Sequence, residues 1–401
     1  MRTVGNGVSG KPGRGFESPI FRDKYIRKYY CDFFWQKKLF AYTYRYNFTF
    51  YFIIMSQGIS LLQFIKRIPK AELHLHIEWT FEPALMFKIA KRNNIAIKYT
   101  SVAALKKAYN FGNLQDFLDI YYQGASVLIT QKDFYDLTRE YLKKAHKDNI
   151  IHTEIFFDPQ THTDRWIQFK TVVTWIHKAL VDAKKKWGMT SRLIMCFLRH
   201  LDEKAAMKTL KQALPYKKWI TAVGLDSSEL GHPPRDFQNV FAHARKQWYL
   251  TVAHAGEEGP AEYIREALKL LKVSRIDHGN NCLNDEKLIK KLIKKQIPLT
   301  ICPLSNYKLR VVKDIQKHPL KKMLNLWLLV SVNSDDPAYF GGYVVDNYLA
   351  MGKALKLSRE EILQLASNSF ISSFLSQKEK TKIVNQIYWD TKKTCSFTKV
   401  F

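Results

Sequence analysis

Glycine is scarce in this chain: 17 of 401 residues, about 4% against a usual ~7%. No glycine-rich phosphate fingerprint follows the first apolar run, which argues against a doubly wound dinucleotide-binding sheet. No Pro/Gly/Ser-rich linker interrupts residues 65–375, so one large domain accounts for most of the length. Cysteine is equally sparse. Cys31, Cys196, Cys282, Cys302 and Cys395 are scattered without CxxC spacing, which excludes a zinc ribbon and a disulfide framework and suggests a reducing, cytoplasmic compartment. No run of 18 apolar residues exists, and the longest candidate, 48–55, is too short to span a bilayer. Internal repeats are absent as well.

Acidic residues are few, 36 against 64 Lys+Arg, giving a formal charge of +28. Such a balance can mark a nucleic-acid partner. Here the lysines fall mainly on the polar faces of expected helices, as in KLIKKLIKKQ, and the reading favoured is solvated helix surface rather than nucleic-acid contact. Residues 1–54 stand apart: ten Lys/Arg meet three Asp/Glu, and sixteen aromatics crowd positions 16–52 with neither helical nor strand period. Basic residues interleaved with aromatics can stack on single-stranded nucleic acid. A targeting peptide is a second reading, but a signal-peptide core with a small-residue cleavage site is missing. The third, favoured here, takes Met55 as the start, because MSQGISLLQFIKRIPKAELHLH runs directly into an amphipathic helix and a first strand. Residues 1–54 are then an untranslated extension, 55–375 the domain, and 376–401 a last helix and frayed tail.

What is present is an alternation. LTVAHAGEE, SRIDHG, PLTICPLSN and LLVSVNSDDP each put Val, Ile, Leu or Thr first and a polar cluster second, as buried parallel strands do when they deliver chemistry at their carboxyl ends. Between them, 236–247, 261–271 and 285–295 carry apolar positions at three- and four-residue spacing with Lys or Glu opposite, which predicts helices. Strand, polar loop and helix in repetition over roughly 310 residues predict an α/β architecture of the TIM-like (β/α)8 barrel type.

The polar clusters hold the chemistry. On an extended segment alternate side chains share a face, so His74 and His76 of HLH can grip one ion together. HxH alone is weak, but His254 follows one strand and Asp335 another. Three imidazoles and a carboxylate suit a zinc-like divalent ion with an open position for water, whose pKa the ion lowers. Glu257, three residues after His254, is placed to act as general acid, His278 of RIDHG to orient or deprotonate water, and Asp336 to hold a substrate donor. Any one of these is as readily a structural polar group near a loop. Four clusters, each at a strand end, are not.

From about residue 69 to 374 the chain resembles the adenosine/adenine deaminase family of metal-dependent barrel hydrolases, most closely its adenine-acting branch. PKAELHLHIE, NLQDFLDIYY, EIFFDPQTHT, LIMCFLRHL, GLDSSELGHPP, LTVAHAGEEGP, RIDHG, CPLSN and NSDDPAYFGGY carry the likeness in order. The resemblance implies hydrolytic loss of the 6-amino group of a purine, with one Zn2+ per subunit. It assigns His74, His76, His254 and Asp335 as zinc ligands, Glu257 as proton donor, His278 as catalytic histidine and Asp336 as a purine contact, with Glu78 near the substrate. GLDSSE and DPAYFGGY are similar to the branch that acts on the free base. The competing enzyme reading is a nucleoside deaminase, which shares these residues and differs in the room left for ribose. From another class, a catalytically silent basic protein binding nucleic acid through residues 1–54 would show steep salt dependence and no ammonia release.

One departure recurs. Where the family follows HLHxE with glycine, this chain has Trp79, an indole that would intrude on the ligand pocket. Trp219, Trp248 and Trp327 each sit just before a strand, in a slot that ordinarily ends a helix in the left-handed conformation glycine favours. The resemblance also expects glycine at or near Trp166 and Trp175. Because UGA is read as tryptophan in some genetic codes and glycine in others, the expectation is that many of the nine tryptophans are glycines in the translated protein. UGG codons at these positions would end the idea.

Overall fold

The computed structural model describes residues 58–109, 120 and 124–393, with side chains as far as 387. Residues 1–54, and with them the readings of that segment as extension, nucleic-acid arm or leader, lie outside the described residues, as does most of NLQDFLDIYY.

Eight strands run parallel and pair in sequence order: β1 Lys70–Glu72, β2 Ile150–Phe157, β3 Thr190–Leu198, β4 Ile220–Asp226, β5 Leu250–Ala255, β6 Arg275–His278, β7 Leu299–Ile301 and β8 Val330–Val332. The ring is nearly closed between its ends, where the His76 N–H donates to the Asp335 carbonyl at 3.2 Å and the Asp335 N–H to the His74 carbonyl at 3.0 Å. This is the TIM-like (β/α)8 barrel expected. Interior positions are filled by Phe156, Ile194, Cys196, Ala222 and Val252, all fully buried, so the barrel is a packed core. The strands are buried on both faces, which is why they read as continuous apolar runs rather than as alternating ones.

Helices wrap the ring: α1 Leu61–Arg67 before β1, then α2 Gln131–Lys147, α3 Phe169–Trp187, α4 Glu203–Ala213, α5 Gln238–Lys246, α6 Ala261–Glu266, α7 Glu286–Lys295, α8 Leu320–Asn325 and α9 Arg359–Ile371. A last helix spans Gln377–Lys393. α1 starts at a capping box, the Ser60 hydroxyl accepting from the Gln63 N–H while the Gln63 side chain accepts from the Ser60 N–H. α7 starts at Asp285, whose carboxylate accepts from the Leu288 N–H. The three helices expected from periodicity differ only at their ends. The first residues of 236–247 belong to a 3-10 turn, Pro234–Phe237, ahead of α5, and 261–271 is α6 continued by a π-helical turn, Ala267–Leu271. Among the described residues no helix is long and apolar enough to cross a membrane.

The tryptophans divide. Trp166, Trp248 and Trp327 have φ of 66°, 67° and 64°, the left-handed conformation expected of a glycine slot. Trp219 does not: its N–H closes a turn on the Tyr216 carbonyl at 2.8 Å with φ negative, so that expectation is corrected. Trp175 lies within α3, edge-on to Tyr135, and Trp79 in a 3-10 turn, Ile77–Thr80.

Candidate active site at the carboxyl ends of the strands

The HLH segment lies just beyond β1, which is only three residues long. Single bridges of Leu75 to Asp335 and of His76 to Phe156 continue its extended course, so both imidazoles turn into the mouth. His254 is the fifth residue of β5, His278 the last of β6, and Asp335 lies three residues past β8. One ligand-type atom from each of His74, His76, His254 and Asp335 lies within 4.8 Å of the others, and all four residues are buried. His74 Nε2 is 3.2 Å and His76 Nε2 3.6 Å from Asp335 Oδ1, and His76 Nε2 is 3.1 Å from His254 Nε2.

The far nitrogen of every ring faces an oxygen. His254 Nδ1–H donates to the Leu225 carbonyl at 3.1 Å, and His76 Nδ1 faces Asp226 Oδ2 at 3.3 Å. His74 Nδ1 is 2.9 Å from Thr300 Oγ1, whose own hydroxyl donates to Asp277 Oδ1 at 2.9 Å and so leaves the oxygen to accept. For His254 and His74 the outer hydrogen bond fixes a tautomer with a bare Nε2 aimed at the common point, the arrangement that orients metal-ligating histidines, while His76 Nδ1 and the Asp226 carboxylate face each other without a hydrogen bond. The His74 Nε2 atom, buried without a hydrogen-bond partner, is what a missing cation would leave. The donor set therefore fits a divalent ion of the zinc type.

The remaining expected residues gather beside this cluster. His278 Nε2 lies 3.3 Å from Glu257 Oε2 and 3.7 Å from Asp335 Oδ2. Asn306 Nδ2 reaches Glu257 Oε1 at 3.4 Å. Asp336 presents a buried Oδ1 with no partner. Glu78 Oε1 accepts from the Asp158 N–H at 3.1 Å and from His162 Nε2 at 3.2 Å, and its Oε2 is buried and unpartnered. The structure thus brings all eight residues singled out in the sequence to one mouth. His278 and Asp335 hold φ of 63° and 64°, conformations that bulky side chains adopt only when the surroundings impose them.

Burial, then the neighbouring Asp335 and Glu229, push the Glu257 carboxyl well above the usual range, so it keeps its proton. Asp336 is raised in the same way, by burial and then by Asp335. Burial and the adjacent His74 ring bring His278 down to about 3, leaving a neutral imidazole. Burial opposes ionisation of Asp335, but the His74 imidazole against it overrides this and holds the group anionic. A protonated carboxyl, a neutral imidazole and an anionic carboxylate are thereby set apart by environment alone.

Sequence reasoning passed over Asp226, Thr300, Asp277, Asp158 and His162. Asp226, like Asp158, closes or follows a strand inside a quoted motif, GLDSSELGHPP or EIFFDPQTHT, and that position was the available signal.

A nearly closed parallel barrel whose strand ends converge imidazoles and carboxylates on one buried point is a (β/α)8-barrel enzyme. Residues 69–390 match the adenosine deaminase family model, and the chain belongs to that family. It is 58% identical over 325 residues to an adenine deaminase of Acinetobacter baylyi, covering 81% of this chain and 98% of that one. With an adenine deaminase of Hahella chejuensis it shares 55% over 324 residues, 81% of this chain and 97% of the relative. Among solved structures, an adenine deaminase from Arthrobacter aurescens superposes with a TM-score of 0.79 at 45% identity, over 81% of this chain and 99% of that one. An amidohydrolase from Burkhoderia ambifaria with bound Zn shares the fold at a TM-score of 0.78 and 23% identity, over 85% of this chain and 96% of that one.

Proposed function

We propose that this enzyme hydrolyses adenine to hypoxanthine and ammonia, in purine salvage, with one zinc ion held by His74, His76, His254 and Asp335. The observation that carries the reading is the convergence of those four ligand atoms with the Glu257–His278 pair, at 3.3 Å, directly beside them. The relatives at 55–58% identity, each named for adenine, direct it to the free base. A divalent ion there supplies a Lewis acid that makes water nucleophilic near neutral pH.

The rest is the work of side chains. Neutral His278 takes the proton as water adds at purine C6. Glu257, kept protonated by burial, gives its proton to N1, so negative charge does not build on the ring. The proton taken by His278 then passes to the C6 amino group, the C6–N bond breaks with loss of ammonia, and the C6 hydroxyl returns its proton to the Glu257 carboxylate, which forms the C6 carbonyl of hypoxanthine and leaves both side chains as they began. Asp336 and Glu78, each with a buried oxygen free of protein donors, are the acceptors for the N–H groups of the base. Free, buried Cys196, Cys282 and Cys302 fit the reducing cytoplasm in which such salvage would run.

The test is ammonia release from adenine and adenosine in parallel, before and after treatment with a strong chelator. Adenine should be preferred, and activity should vanish on chelation and return with zinc. Preference for the nucleoside would replace the substrate assignment, and chelator-resistant turnover would remove the metal from it.

A further inference from the structure

The HAGEE segment carries both a ligand, His254, and the proton donor, Glu257, and something must hold its turn. Glu229, in the loop after β4 and almost fully buried, does so with one carboxylate. Its Oε1 accepts from the Gly256 N–H at 2.6 Å, and its Oε2 from the N–H groups of Glu257, Glu258 and Gly259 at 3.0, 2.9 and 2.9 Å. Four successive amides wrapped about one anion form a nest. Gly259 is required by it, because a Cβ there would meet the Glu229 carboxylate and the Tyr263 ring, each at 2.7 Å. His254 is held by other means: its Nδ1–H on the Leu225 carbonyl, and its own carbonyl accepting from Arg199 Nη1 at 2.8 Å.

We propose that Glu229 is a positioning residue for the proton donor, setting where the Glu257 carboxyl meets N1 of the substrate. The division of labour within the segment makes this separable from metal binding: Arg199 and Leu225 fix the ligand, and Glu229 fixes the turn beyond it. Glu229→Gln preserves volume but turns an N–H2 group toward amide donors, so the nest loosens at Glu257 while the ligand stays in place.

The proposal rests on the adenine deaminase reading. In the zinc-loaded full-length enzyme, kcat of Glu229→Gln should fall about 100-fold, as expected for a displacement on the order of 1 Å, with KM for adenine held within about threefold. Metal content should stay at the parent value. An unchanged kcat overturns the proposal, as does a loss that tracks metal content or KM. Should Glu229→Gln fail to fold, Gly259→Ala disturbs the same contact from the loop side and must give the same split between kcat and KM. A parent enzyme that releases no ammonia from adenine overturns both readings, whereas an active parent matched by its variant overturns this one alone.

A different observation carries a second inference. Trp166, Trp248 and Trp327 each end a helical segment in the same hydrogen-bond pattern. The N–H of the following residue reaches back five positions, Ile167 to His162, Tyr249 to Ala244 and Leu328 to Met323, at 3.1, 3.2 and 3.1 Å. That is the Schellman end, which places its left-handed residue where these indoles stand. Two of the indoles are almost wholly exposed, at 94% and 86%, and the third is 39% exposed, so little packing offsets the backbone strain. α3 supplies the comparison within the same molecule: it ends at Gly188 with φ 69°. Nine other non-glycine residues among those described also have positive φ, Asn94, Gln296 and Lys356 with the same hydrogen-bond pattern, but three of the eight described tryptophans is far above the few per cent ordinary for non-glycine residues.

We infer that positions 166, 248 and 327 are glycine in the protein as it is translated in its source. Mass spectrometry of the native protein decides it, on the tryptic peptides 166–170 and 247–265 and on the peptide containing 327. Glycine masses are expected; tryptophan masses would overturn the inference.

Discussion

At the scale of single residues, environment assigns the roles. Glu257, partly buried, and Asp335, buried, both lie within reach of His278, yet one is pushed toward the neutral acid and the other held as an anion. Replacing Glu257 with Gln keeps the shape and removes the transferable proton. Steady-state ammonia release should then show kcat lower by about 1,000-fold with KM little changed, whereas a mild loss would move the proton to another donor. The left-handed tryptophans make a stability prediction of their own. Trp→Gly at 166, 248 and 327 should each stabilise the chain by about 1 kcal/mol, read from denaturant midpoints. The roles of His74, His76, His254, Glu257, His278, Asp335 and Asp336 were proposed from the sequence because their chemistry sits in short contiguous motifs. Glu229 was in view too, inside GLDSSELGHPP, but what it does depends on amides 27 to 30 positions away, which no local pattern discloses.

At the scale of elements, the strands do more than point ligands inward. β4 supplies Asp226 behind His76, and β6 and β7 supply Asp277 and Thr300 behind His74, so neighbouring strands orient one another's imidazoles. Asp226→Asn and Thr300→Val should each weaken binding of a divalent metal, added as zinc, by about 10- to 100-fold in competition with a chelator, with the fold retained. Unchanged affinity would show that packing alone holds the rings. Periodicity found 236–247, 261–271 and 285–295 because amphipathic helices advertise their buried face at 3.6-residue spacing. It gave no warning of the 3-10 and π-helical turns, which depend on how each helix end meets the barrel.

At the scale of the molecule, the barrel interior holds a buried ionic chain beneath the site. Arg275 Nη1 meets Glu154 Oε2 at 2.5 Å, Arg275 Nε meets Asp277 Oδ1 at 3.2 Å, and Asp277 in turn accepts from Thr300 behind His74. Burial alone would raise the Glu154 carboxyl, but Arg275 overrides it and holds the group down to about 2, below its ordinary 4.5. A depressed folded-state pKa gives stability that is complete above about pH 4.5. It is lost as pH falls toward about 2, by about 3 kcal/mol in all. Glu154→Gln should cost about 3–5 kcal/mol at neutral pH, because Arg275 is left buried without its partner, and should flatten the acid limb of the midpoint-against-pH curve. Parallel acid limbs in parent and variant would place the titration elsewhere.

The sequence by itself determined the alternation of buried strands and amphipathic helices, hence the barrel, and the polar cluster at each strand end, hence the chemistry. Both are written in contiguous residues, as period and as motif. Only the tertiary structure decided which oxygen stands behind each imidazole, which carboxyl keeps its proton, and which tryptophans strain the backbone. Those are properties of burial and of distances between atoms far apart along the chain, and they exist only once the ring of strands is nearly closed.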